Sequence, residues 1–67
     1  MTLLDVASGR AVIALDLEEI VTVMNALNEA FEAVEDWEFS TRVGVEKSRA
    51  QEIWAELDDA RSALEGS

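Results

Sequence analysis

The sequence predicts an α+β fold that is mainly helical: an N-terminal β-hairpin followed by three helices, the last two arranged like a helix-turn-helix. The first fifteen residues are rich in Val, Ile and Leu around a Ser-Gly pair, which is typical of two short strands. Two later stretches repeat apolar residues at the helical spacing i, i+3, i+4, i+7. The 67 residues therefore form one small domain, with the hairpin at 1–15 and a tri-helical part at 16–67.

The hairpin should consist of strands Thr2–Val6 and Arg10–Leu15. Ser8 and Gly9 lie between them and supply the signal for a tight turn. A two-stranded hairpin alone is marginal in water, and its free edges can pair with another strand. We therefore expect this hairpin to be covered, or to pair across a homodimer or with a partner.

The two faces of the hairpin are not clearly distinguished in the sequence. Strict alternation puts Leu4 and Val6 on one face and Leu3 on the other. Apolar residues then occur on both faces, which predicts either a hairpin covered on both sides or a helix in place of the strands.

The first long helix should run from Leu17 to Val34. Asp16 and Glu19 have the spacing of a capping box, with Asp in place of Ser or Thr. The apolar stripe of this helix consists of Ile20, Val23, Met24, Leu27, Phe31 and Val34.

Two further helices follow, separated by a glycine. Asp36 is a suitable N-cap for a short helix Trp37–Val43, and Gly44 suits the left-handed position at its end. The third helix should cover Lys47–Leu64. Its stripe consists of Ala50, Ile53, Trp54, Leu57, Arg61 and Leu64.

The composition argues against an enzyme. His, Cys and Tyr are all missing, which removes the commonest general bases and nucleophiles. Without Cys or His we expect no disulfide, no metal and no cofactor. No stretch approaches the roughly 20 apolar residues of a membrane span, and no targeting segment is apparent, so we expect no membrane partner and a cytoplasmic location.

The formal net charge of −10 points either to plain solubility or to a basic partner drawn in by electrostatic steering. Acidic residues crowd the end of the first helix and the start of the second around a tryptophan, which could anchor a protein interface or simply cover the core. The candidate partner-binding residues are Glu29, Glu32, Glu35, Asp36, Trp37 and Glu38.

A nucleic-acid interface is the alternative. In a helix-turn-helix, the third helix would read DNA, and here it would present Lys47, Arg49 and Gln51. Phosphate contacts supply most non-specific DNA affinity. A chain with a net charge of −10 is therefore repelled by DNA before any specific contact forms.

One stretch resembles a known class of proteins. Ala26-Leu27-Asn28-Glu29, followed by the run from Glu38 to Gly44 (EFSTRVG), is similar to small bacterial immunity proteins of contact-dependent or polymorphic toxin systems. The resemblance covers roughly residues 15–57. It implies a protein-binding module with no chemistry of its own.

The sequence thus predicts an acidic, immunity-type inhibitor that neutralises a basic toxin such as a nuclease. Its acidic residues would block the active site or substrate cleft of the toxin. The alternatives are a helix-turn-helix regulator or antitoxin that binds nucleic acid, and a homodimeric structural module joined through the hairpin.

Overall fold

The computed structural model describes residues 1–66 and has the α+β, mainly helical arrangement that the sequence predicts. Three helices follow an antiparallel hairpin, and a single 3₁₀ turn replaces the start of the expected second helix. The elements in chain order are β1 (Thr2–Ala7), β2 (Arg10–Ala14), α1 (Leu17–Ala33), the 3₁₀ turn Asp36–Glu38, α2 (Phe39–Val43) and α3 (Lys47–Glu65).

The hairpin turn lies where the sequence predicts it. Ser8 has φ 43° and Gly9 has φ 79°, so both central residues are left-handed, as a type I′ turn requires. This turn matches the right-handed twist of the flanking strands. The strands differ from prediction by one residue each, because β1 extends to Ala7 and β2 stops before Leu15.

A β-bulge in β1 corrects the predicted faces of the hairpin. Leu3 is paired with Ile13, but the next pair in the ladder involves Asp5, which leaves Leu4 as the extra residue. Residues directly opposite each other share a face. Leu3 therefore lies on the same face as Ile13 and Val6, whereas strict alternation had placed Leu3 opposite Val6.

Neither face of the hairpin is covered. Every residue of β1 and β2 is exposed, including Leu4 at 63% and Val6 at 66%. The expectation of a hairpin covered on both sides is therefore wrong for the single chain over residues 1–66. Contact with the helices is confined to one end of the hairpin, where Leu15 is half-buried and Ile13 lines a groove with Leu57 and Leu64 of α3.

The start of α1 is fixed by the predicted capping box. The Asp16 side chain accepts a hydrogen bond from the Glu19 backbone N–H at 2.8 Å, and the Asp16 backbone N–H donates to Glu19 Oε1 at 3.0 Å. Both bonds satisfy donors that a helix start would leave unpaired. The helix ends at Ala33, one residue before the predicted limit.

The core is small and lies between α1, α2 and α3. Among residues 1–66 the buried apolar side chains are Ile20, Met24, Phe39 and Ala50. Fully buried Ala50 presents only a methyl group, which lets α3 approach α1 closely. The two helices are antiparallel, because the start of α1 and the end of α3 line one groove, while α2 joins their other ends.

Candidate functional site

The acidic residues predicted to bind a partner form one continuous segment at the end of α1. The segment includes the last turns of α1, the connection and the 3₁₀ turn. All are exposed except Glu38, which is half-buried. We call this the acidic surface; its members are Glu29, Glu32, Glu35, Asp36, Trp37 and Glu38.

Trp37 belongs to the acidic surface and is the most exposed large hydrophobic side chain in residues 1–66, at 78% exposure. The alternative that it covers the core is wrong, because Phe39 does that instead at 1% exposure. Beside the indole lies an open cavity of about 460 Å³, also lined by Glu38, Thr41 and Arg42. Tryptophan is enriched at interface hot spots, so this ring is the candidate anchor of the acidic surface.

Two carboxylates of the acidic surface are held in ion pairs. Asp36 Oδ1 accepts from Lys47 Nζ at 2.8 Å, and Glu38 Oε2 accepts from Arg42 Nε at 2.8 Å. The first pair joins the 3₁₀ turn to the start of α3, and the second joins the last residue of the 3₁₀ turn to α2. Both pairs are near Trp37, and as exposed pairs they contribute little stability.

The other three carboxylates remain available to a partner. Within residues 1–66, Glu29, Glu32 and Glu35 have no ion pair. A positive group of another molecule could therefore approach them without displacing an internal cation.

The predicted DNA-reading residues are placed at the start of α3, but their charges are already paired. The turn is as expected, with Gly44 left-handed at φ 98°. Lys47 is bound to Asp36, and Arg49 Nη1 lies 3.3 Å from Glu52 and 3.8 Å from Glu56. Gln51 is exposed. A phosphate would have to compete with these carboxylates for both cations.

An apolar groove at the other end of the helix pair was not predicted as a site. It has a volume of about 390 Å³ and only apolar lining residues, among them Ile13, Leu15, Ile20, Leu57 and Leu64. The sequence does contain a signal: the stripe of α3 continues to Leu64, almost at the end of that helix. We call this the apolar groove.

A third depression, of about 270 Å³, lies along one side of α1 and α3 next to Trp54 and Arg61. The Trp54 indole N–H is buried without a hydrogen-bond acceptor. Arg61 is bonded to Asp58 and Glu65. The side-chain bond to Asp58, then that to Glu65, raises the pKa of Arg61 above its ordinary value, so this guanidinium is permanently charged.

The described part of the chain has neither a metal-ligand cluster nor a membrane-spanning helix. Residues 1–66 contain no group of three or more Asp and Glu side chains placed to hold a metal ion. In the same range no helix has the length and apolar character needed to cross a membrane. Comparison with protein-family models, curated proteins and solved structures found no match, so the resemblance to immunity proteins stays a prediction.

Proposed function

We propose that this chain is an acidic protein-binding module, an immunity-type inhibitor that neutralises a basic toxin such as a nuclease. The observation that carries the proposal is Trp37, which is 78% exposed within a run of five carboxylates. Folding alone favours burying an indole. Its exposure at this position is explained if another molecule covers it.

Charge and aromatic contact would have separate roles in the complex. The carboxylates would accelerate encounter with a basic surface, because opposite charges steer association. Trp37 would then supply the buried apolar contact that slows dissociation, as tryptophan does at many interface hot spots. A nuclease cleft is basic because it binds phosphates, so an acidic occupant would exclude the substrate.

The turn that carries Trp37 is already formed in the free chain. The Glu38 backbone N–H donates to the Glu35 carbonyl oxygen at 3.0 Å, and the exposed ion pairs of Asp36 and Glu38 lie beside this bond. Binding would therefore meet a Trp37 whose backbone is already ordered, which lowers the entropic cost of association.

The experiment compares the wild type with Trp37→Ala and Glu32→Lys as baits in the native host's lysate. The control is Asp59→Lys, which changes the charge equally on an exposed residue of α3, about 18 Å along the helix from Lys47. We expect one basic protein to bind the wild type and Asp59→Lys, and to be lost or depleted with the other two baits.

Association rates with the captured protein provide the second readout. For the wild type the rate should fall as salt rises, since screening weakens steering. Glu32→Lys should associate more slowly, and Trp37→Ala should mainly dissociate faster. Equal capture by all four baits would refute the acidic surface as the binding site.

The nucleic-acid-binding regulator or antitoxin remains the second candidate, supported by the left-handed Gly44 turn between α2 and α3. It predicts salt-dependent binding to duplex DNA that Lys47→Glu with Arg49→Glu abolishes. Fluorescence anisotropy with labelled duplex DNA tests it. Because Lys47 and Arg49 are both held in ion pairs, we expect no binding to duplex DNA at physiological salt.

A further inference from the structure

The hairpin and the helices differ sharply in charge. Asp5 and Arg10 are the only charged side chains in residues 1–15, so the whole formal charge of −10 lies on residues 16–67. The hairpin is therefore neutral in its side chains and rich in exposed apolar groups. A basic partner attracted by the helices would gain no electrostatic energy from the hairpin.

The single chain exposes more surface than a compact domain of its size. A folded monomer of this mass is expected to expose about 4200 Å² and to have a radius of gyration of about 11 Å. This chain exposes 5073 Å² and has a radius of gyration of 13.3 Å. The excess is close to the roughly 800 Å² that each partner buries in a standard protein interface.

The bulge in β1 sorts the hairpin residues into an apolar and a mixed face. Leu3, Val6 and Ile13 share one face, as follows from the register. The opposite face carries Asp5 and Arg10 as well as Val12. Without the bulge, Leu3 would fall on the same face as Asp5.

The apolar face of the hairpin is continuous with the apolar groove through Ile13, which belongs to both. Leu15, Leu57 and Leu64 extend the same surface onto the helices. We call this combined area the apolar surface; its members are Leu3, Val6, Ile13, Leu15, Leu57 and Leu64.

We propose that the apolar surface packs against the same surface of a second copy of this chain, around a two-fold axis. A two-fold contact needs one self-complementary patch, and a neutral apolar patch meets its own copy without charge repulsion. The acidic surface lies near Lys47 at the far end of α3, about 25 Å along the helix from Leu64. Dimerisation therefore leaves Trp37 and its carboxylates open.

Salt should affect this contact in the direction opposite to partner binding. Two copies each carry −10, and their repulsion at longer range is screened as salt rises. Apolar contacts are not weakened by moderate salt. We therefore expect the dimer to become tighter between low and physiological ionic strength.

The test is sedimentation equilibrium of the full chain with a pair of matched variants. Val6→Lys puts a charge on the apolar surface, and Val12→Lys puts the same charge on the opposite face; the two valines are similarly exposed, at 66% and 54%. Leu3→Lys is a second variant on the apolar surface, and far-UV circular dichroism checks that each chain is folded.

We expect a wild-type dimer that Val12→Lys preserves. In Val6→Lys and Leu3→Lys the dissociation constant should rise by at least about tenfold, because a charge is buried without a partner. A monomeric wild type at tens of micromolar would overturn the proposal. So would equal weakening by the Val6 and Val12 substitutions, which would indicate pairing along a strand edge. No partner protein enters this test, so its result is independent of the inhibitor function.

Discussion

Trp37 and Phe39 are two residues apart and occupy opposite environments. The Phe39 side chain is 1% exposed and stacks on Phe31 with ring centroids 5.8 Å apart, whereas Trp37 is 78% exposed. The tight 3₁₀ turn Asp36–Glu38 brings about this reversal, because it rotates the chain between the two positions. This short segment thus places one aromatic ring in the core and the other at the surface.

Phe39→Ala should strongly destabilise the protein. Removing a buried phenylalanine costs about 3–5 kcal/mol, and a core of four buried side chains has little stability in reserve. We expect the variant to be largely unfolded by circular dichroism at 25 °C. Trp37→Ala is the control, and its free energy of unfolding in urea should stay within about 0.5 kcal/mol of the wild type.

Trp54→Phe should leave the free energy of unfolding unchanged or raise it. The buried indole N–H has no acceptor, and such a group costs about 1–3 kcal/mol. Phe removes that cost but also some packing volume. Trp54→Ala removes the N–H as well but loses most of the packing volume with it, and should therefore lose more, up to about 3–5 kcal/mol. Urea titrations of both variants measure the difference; a large loss in Trp54→Phe would mean that the N–H has a partner.

The Trp54→Phe variant also reports on the acidic surface, because Trp37 is then the only tryptophan. Its fluorescence should be typical of an indole in water. Neighbouring carboxylates repel anions and concentrate cations, so quenching measured relative to that of free tryptophan should be stronger for caesium than for iodide. Added salt should reduce the difference, and Glu35→Lys should reduce it as well. Equal quenching at low salt would show that the potential around Trp37 is weak.

Glu19 should link stability to pH. The pKa of its carboxyl lies below the ordinary value, first because the Asp16 backbone N–H donates to it and second because the N-terminal ammonium does. A lowered pKa means that the folded state prefers the ionised form. The stabilisation is thus complete above the pKa of the unfolded chain, and it is lost as pH falls through the folded pKa.

Glu19→Gln isolates this contribution, since it keeps an acceptor for Asp16 and removes the charge. At neutral pH the wild type should be the more stable protein in urea. The difference should shrink as pH falls through the acid range. A difference that does not change with pH would assign the effect to packing.

Gly44→Ala should cost about 1–2 kcal/mol, the price of a left-handed backbone for a residue with a Cβ. Its φ is 98°, and an added Cβ would meet no atom within 4 Å, so the loss comes from the backbone alone. Gly44→Asn should lose less, because Asn tolerates left-handed conformations better. Thermal unfolding of both variants measures which of them loses more stability. Equal losses of stability would contradict this explanation.

Local signals in the sequence were sufficient to predict the strands, turns and helices of the fold. The Ser8-Gly9 turn, the Asp16–Glu19 capping box and the Gly44 turn each depend on a few neighbouring residues, and the structure has all of them. Helix ends were predicted to within one residue for the same reason, except at the start of α2. That helix begins at Phe39 instead of Trp37, and the predicted N-cap Asp36 is the first residue of the 3₁₀ turn.

Features that depend on distant residues were missed. The ion pair between Asp36 and Lys47 joins residues 11 positions apart, and nothing in the local pattern indicates it. The bulge at Leu4 leaves no composition signal, since Leu suits an ordinary strand equally well. Either Trp37 or Phe39 could fill the core, and the periodicity of the sequence does not distinguish between them. Tertiary packing buries Phe39 and leaves Trp37 exposed.

The small core has a consequence for the amount of this protein in a cell. Stability from four buried side chains is modest, so unbound copies would open often and be degraded by proteases. A ligand present at 100 times its dissociation constant adds about 2.7 kcal/mol, which lowers the open fraction roughly a hundredfold. Bound copies would then outlive unbound ones. If the chain is the inhibitor proposed above, turnover alone would adjust its level to the level of its target, without a transcriptional sensor.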